Sequence, residues 1–554
     1  RAALAGTAAL LACALAAPAA AQQGRDTLTI GITQFPSTFH PNIESMAAKS
    51  YVLGFARRPL TAYGPDWALA CLLCDRVPSL ENGGAARETT PDGKAGIRVT
   101  WRLREDARWG DGRPVSAEDL RFAWEAGRDA STGFGPAEFY RSAYELVVED
   151  ARTVTLRFDK VTFEYASAGD FQPLPAHIER ARWEADPRGY RNRTAYDTET
   201  ATPGLWSGPY RITAVQPGAG VTLERNDAWA GPAPAFRRIQ VRTVENTAAL
   251  EAQLLAGQLD MVAGEGPGLP VEQAAALERR AAGRFTVFYK PGLTYEHLDV
   301  QHDHPALGDK RVRQALLMAT DRSQIVARLF EGRQTVAHSS VNPLDKMHDA
   351  DTRQWPHDPA RAGALLDEAG WRRGPDGVRR NAAGEKLSFE LMTTAGNRAR
   401  EAVQQVLQGM WRAAGVEARI RNEPPRVLFG ETLSRRRLQG AALYAWISGP
   451  ESVPRTTLHS DEIPRAERNW SGQNFGGWRN AEMDALVEAL PQELDAEKRR
   501  GMWARLQAIY AEELPALPLW FRADAHVWPR WLEGVRPTGH LNPTSLWAEE
   551  WRAR

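Results

Sequence analysis

Residues 99–127 constrain the fold more than any other stretch, because they fix three local structures in one order. Val99, Trp101 and Leu103 alternate with Thr100, Arg102 and Arg104, the period-2 pattern of a strand with one buried face. Gly110, Asp111 and Gly112 then force a turn. A helix start follows: Ser116 is an N-cap, Asp119 stands at the reciprocal capping position, and Val115 is placed to staple onto Leu120. Strand and helix go on alternating further along. Leu387–Thr393 reads as a strand, Arg398–Ala414 as a helix stopped by Gly415, and Val416–Ile420 as the next strand. That alternation predicts an α/β chain with helices layered on a sheet. Residues 79–96, rich in Gly, Pro and Asn, read as a loop.

The chain has 554 residues, enough for several domain-sized units, and no internal repeat. Its 69 Lys and Arg balance 69 Asp and Glu, which argues against a nucleic-acid groove or a membrane-coating surface. Residues 2–21 are almost wholly small and apolar and end in Ala19-Ala20-Ala21, as an export signal cleaved after Ala21 does. Leu10-Leu11-Ala12-Cys13 is a weaker match to a lipoprotein site, so a soluble periplasmic product is expected over an anchored one. With Cys13 removed, Cys71 and Cys74 are the remaining pair, and in an oxidising compartment they most simply bond to each other. A redox dithiol or half a metal site are the alternatives, and no second Cys pair completes a zinc tetrahedron.

Enzyme motifs are absent. There is no His-Glu-x-x-His, no Gly-x-Ser-x-Gly, no phosphate loop and no dinucleotide fingerprint after a strand. No cofactor is expected. His302-Asp303-His304 is the densest histidine cluster, but a metal site there would need a further ligand from elsewhere, and a solvated loop is the plainer reading.

Several blocks carry a family resemblance. The first is Trp101-x-Leu103-Arg104, Trp109-x-Asp111-Gly112-x-Pro114-Val115, Ala117-x-Asp119 and Phe122-x-Trp124. The second is Gly208-Pro209-Tyr210, a strand ending Arg225-Asn226, then Trp229, with Gly257-x-x-Asp260 beyond. The third is Asp309-x-x-Val312-Arg313-x-Ala315-Leu316 ending in Asp321-Arg322. Together they resemble the solute-binding proteins of peptide/nickel-type ABC transporters, bacterial extracellular solute-binding family 5, over nearly all of residues 26–550.

The resemblance implies a two-lobed periplasmic-binding-protein fold of type II, in its large three-subdomain variety, with the ligand cleft between the lobes. It places the core of the first lobe at 22–60, 205–285 and 525–554, an extra subdomain at 61–204 and the second lobe at 286–524. The crossing into the second lobe is expected at 292–298, after a strand at Phe285–Tyr289. A helix ending in Leu514-Pro515-Ala516-Leu517-Pro518-Leu519 is expected to close that lobe. Such a protein catalyses nothing. It captures a small solute, most simply an oligopeptide, and delivers it as a monomer to an inner-membrane permease.

Four segments combine aromatic area with hydrogen-bonding groups, as concave solute sites require. They supply the candidate ligand residues Phe35 and Thr38, Tyr295 and His297, Trp446, Ser448 and Glu451, and Trp470 and Asn474. The family has a Trp at the position of Trp446. Peptide-binding members carry an Asp three residues later that pairs with the peptide ammonium, where this chain has Gly449. Glu451 is the nearby carboxylate that could substitute. An opine, a sugar-derived solute or a metal chelate are the alternative ligands. An exported hydrolase and a partner of a membrane sensor are the alternatives of another class.

Overall fold

The computed structural model describes residues 25–43, 46–132, 134, 137–169, 171–265, 267–424, 427–466 and 472–554. The expected export signal and Trp470 lie outside them. An 11-stranded mixed sheet runs through the molecule. Two long antiparallel strands, Phe285–Val300 and Ala516–Pro529, lie side by side in it. Beyond Ala516–Pro529 the order is Met261–Val262, Thr27–Ile32, Arg238–Thr243, Gly220–Arg225 and Tyr210–Gln216. Beyond Phe285–Val300 it is Gly440–Ile447, Ser388–Thr393 and Glu417–Ile420.

The hydrophobic groups along these strands form separate cores. Leu28, Tyr51, Trp101, Trp206 and Trp551 belong to one. Leu298, Leu316, Phe389, Trp411 and Leu443 belong to another. The long strands pass from the first to the second, and this makes the molecule a two-lobed α/β structure. Their pairing slips between Pro291 and Thr294, where one strand carries extra residues. Gly292 and Leu293 fill that slip, and the Leu293 N–H donates to the carbonyl of Gly539. Gly539 needs its left-handed backbone, φ 78°, and a Cβ there would meet the Pro291 carbonyl at 2.5 Å.

The opening stretch forms as its sequence dictates. The strand Ala95–Arg102 buries Ile97, Val99 and Trp101 and lies in a separate four-stranded antiparallel sheet. The helix Ala117–Arg128 begins in a capping box made by Ser116 and Asp119. Asp119 reaches further than the box: it also accepts from Trp109 Nε1 at 3.0 Å and from the N–H of Ala176 at 2.8 Å. Cys71 and Cys74 form a disulfide, with Cα atoms 5.1 Å apart.

The structure corrects three local expectations. Residues 79–96 are not all loop, since Ala85–Thr89 is an edge strand paired with Ala95–Arg102. Only Ala85 of that strand is buried, so it has no apolar alternation to betray it. The expected strand at Phe285–Tyr289 and the expected crossing form one 16-residue strand, bent at the slip. The segment beginning Ala516-Leu517-Pro518 starts the second long strand and does not merely close a lobe. Pro518 is tolerated there because it pairs with His297 beside a second register shift, where a missing N–H disturbs least. Among the described residues, no helix is long and apolar enough to cross a membrane.

Candidate functional site

Side chains alternate across a strand, so Phe285–Val300 presents two different faces in the second lobe. Leu298 and Val300 turn to the helix-covered core, together with Ala441 and Leu443 of the neighbouring strand. Tyr295, His297 and Asp299 turn the other way, opposite Trp446, Tyr444 and Ala442 of Gly440–Ile447. That second face is the floor of a chamber partly open to solvent. The helix Ala496–Glu513 supplies Trp503 and Tyr510 to its wall, and the loops carrying Ser340, Ser448 and Asn474 complete it.

Each wall group is held by ordinary chemistry. Tyr295 and Tyr510 share a hydroxyl–hydroxyl hydrogen bond of 2.9 Å. His297 stacks on Tyr295 at 5.0 Å and meets Tyr444 edge-on at 4.7 Å. Burial pushes its imidazole down to about 4, so it is neutral at physiological pH. Trp446 is half-buried, with its ring 6.0 Å from that of Phe475. Asn474 organises its loop: its Nδ2 donates to the carbonyls of His459 and Trp478, and its Oδ1 accepts from the N–H groups of Gly477 and Trp478.

The carboxylates differ in how they are satisfied. Tyr444 Oη donates to Asp299 at 2.7 Å, and burial raises this carboxyl to about 6. Asp345 also lines the chamber and accepts from the N–H groups of Glu451 at 2.8 Å and Met347 at 2.9 Å. Burial raises its pKa while those two N–H bonds oppose the rise. Glu451 is buried at a left-handed backbone position, φ 56°. Its carboxylate pairs with Lys346 at 2.6 Å and Arg499 at 3.8 Å, and it is not part of the chamber lining.

Of the sequence-derived candidates, Tyr295, His297, Trp446, Ser448 and Asn474 therefore come together. Phe35 and Thr38 do not join them. They line a different depression beside Asp197–Thr202, where Thr38 Oγ1 donates to Asp197 at 2.7 Å and the Phe35 ring meets Phe39. Asp299, Ser340, Trp503 and Tyr510 went unread. The signal for Asp299 was present, since it continues the period of Tyr295 and His297. Trp503 and Tyr510 are separated from that strand by some two hundred residues of chain, and only the tertiary fold joins them.

No group of His, Cys, Asp and Glu side chains among the described residues is arranged to hold a metal ion. His302 and His304 serve their loop: His302 Nε2 lies 2.8 Å from the Pro515 carbonyl oxygen, and His304 Nδ1 accepts from the N–H of Ala306.

Comparison with known proteins sets this chamber in context. The model of bacterial extracellular solute-binding proteins, family 5 Middle, matches residues 81–461. The oligopeptide-binding protein OppA of Bacillus subtilis is 24% identical over 526 residues, covering 93% of this chain and 90% of its own. A solved oligopeptide-binding protein from Thermus thermophilus, in complex with a pentapeptide, is 30% identical with a TM-score of 0.73, covering 95% of this chain and 96% of the other. NikA from Brucella suis, in complex with Fe(III)-EDTA, shares the fold at 18% identity, with a TM-score of 0.79 and coverage of 95% and 100%.

Proposed function

From the premise that this chain belongs to the family 5 bacterial extracellular solute-binding proteins, we propose that it captures an oligopeptide for an ABC importer. The observation that carries this reading is the chamber, walled by Tyr295, Trp446, Trp503 and Tyr510, with amide and hydroxyl groups between the rings. Concave sites of this mixture suit a flexible ligand that is apolar along its side chains and polar along its backbone. The similarity to a pentapeptide-binding protein over 95% of the chain supports the same ligand class.

The protein works by differential affinity. The lobes close about the bend at Pro291–Thr294, and a ligand drives closure only as far as it prefers the closed state. The closed form then docks on an inner-membrane permease from the periplasmic side, as a monomer. We place the lobe cores at 22–60 with 205–285 and 525–554, and at 286–524, with residues 61–204 as an added subdomain. The family is one of solute-binding proteins, and we read this chain as a binder that catalyses nothing.

A thermal-shift series of di- to pentapeptides, opines, oligosaccharides and metal chelates tests the reading. A ligand at a hundred times its Kd adds about 2.7 kcal/mol, which raises the melting temperature of a chain this long by roughly 2–3 °C. Peptides are expected to give that rise and to be recovered intact. A flat peptide series beside a shift from another class, or hydrolysis of the bound peptide, would overturn it.

A further inference from the structure

Among the described residues the chamber's charges have one sign: Asp299 and Asp345 line it, no Lys or Arg does, and His297 is neutral. Asp345 is satisfied by two backbone N–H groups and lies beside Lys346. Asp299 receives one hydrogen bond, from the uncharged hydroxyl of Tyr444, and no cation of the protein pairs with it among the described residues. The loop opposite packs close to it at Gly476, where a Cβ would meet the Val300 carbonyl at 2.5 Å and lie 3.4 Å from Asp299 Oδ1. A half-buried carboxylate on the floor of a binding chamber, with no counter-ion, is a site completed by its ligand.

Among the described residues, the other buried polar groups of the chamber without a partner are neutral donors. The indole N–H of Trp503 is buried in the chamber wall without an acceptor, and Ser340 Oγ is likewise without a partner. They suit carbonyl oxygens of the ligand, not a second charge. Glu451, the other carboxylate in this region, is already neutralised by Lys346 and Arg499.

We propose that the chamber selects solutes carrying a positively charged amine and no compensating anion, and that Asp299 is the counter-ion that holds the amine. The proposal rests on the reading of this chamber as the peptide site. It puts the charge-reading residue on the long strand, and it makes a C-terminal carboxylate on the ligand a handicap.

Calorimetry with four forms of trialanine tests it: unmodified, N-acetylated, C-amidated, and blocked at both ends. The amidated form is expected to bind at least as tightly as the unmodified one, and acetylation to cost about thirtyfold or more. Asp299→Asn is expected to abolish that preference, bringing the amine-bearing and acetylated forms within a few-fold of each other. An acetylation penalty below about threefold on the wild-type protein overturns the proposal whatever the variant does, and leaves peptide capture standing. Loss of the preference in Asp345→Asn instead of Asp299→Asn overturns the assignment of the counter-ion. Failure of all four forms to bind the wild-type protein removes the peptide reading and this proposal together.

Discussion

At the scale of single residues, the chamber separates groups that make the protein stable from groups that make it bind. Trp446 is half-buried, meets Tyr444 at a near-perpendicular angle and Phe475 at a tilt, and lines the chamber. Trp446→Ala is expected to lower peptide affinity by about 2 kcal/mol, roughly thirtyfold, with little change in melting temperature. Unaltered binding in calorimetry would remove Trp446 from the site. Asp299 has the opposite cost. Its carboxyl titrates at 3.8 ordinarily and at about 6 in the folded chain, so the folded state holds its proton more tightly than the unfolded state does. Stability from this group is complete below about pH 4 and is lost as pH rises through about 6. Asp299→Asn should therefore melt like the wild type near pH 4 and be more stable above pH 6, by on the order of 1–2 kcal/mol for a half-buried group. A variant less stable than wild type at pH 7 would mean that Asp299 serves the fold.

At the scale of elements, the residues that were legible were those with local partners. Ser116 and Asp119 announced a capped helix because both ends of the box lie within four residues, and the helix Ala117–Arg128 forms with that cap. What the spacing could not tell is that the same carboxylate also takes N–H groups from Trp109 and Ala176, tying the turn, the helix and a distant segment together. Asp119→Ala would strand several buried donors at once. Its expected cost, about 3–5 kcal/mol in chemical denaturation, exceeds the roughly 1 kcal/mol of an ordinary lost cap. A cost near 1 kcal/mol would show that the longer-range bonds contribute nothing. The chamber was legible in half: Tyr295 and His297 stand out as aromatic area beside hydrogen-bonding groups, and Trp446 through the family resemblance. Glu451 was named from its nearness in sequence to Gly449, yet its direction is set by a left-handed backbone turn and by Lys346 and Arg499, which no periodicity encodes. The edge strand Ala85–Thr89 and the run through Pro518 were hidden for the same reason, since each is stabilised by its neighbour more than by its own residues.

At the scale of the molecule, closure needs contacts that form only between lobes, and one is visible. Arg499, on the helix that walls the chamber, lays its guanidinium over the ring of Phe163, 4.5 Å from its centre, in the segment proposed as the added subdomain. The arginine is pre-set for this: its Nη1 donates to the carbonyls of Glu493 and Leu494, and its Nη2 lies 3.8 Å from Glu451. A partly buried cation–π contact is worth about 1 kcal/mol, a factor of about five in the ratio of closed to open forms. Since the apparent Kd scales inversely with the closed fraction, Arg499→Ala should weaken every ligand alike, by up to about fivefold. That uniform loss differs from the effect of Asp299→Asn, which falls on amines alone. Small-angle scattering of the ligand-free protein should show a larger radius of gyration in Arg499→Ala, and Phe163→Leu should reproduce both effects through the other partner. Because Arg499 also faces Glu451, the pairing of the two variants is decisive. If Arg499→Ala weakens binding while Phe163→Leu does not, the arginine acts within the second lobe through Glu451, and the lobes are held together by other contacts.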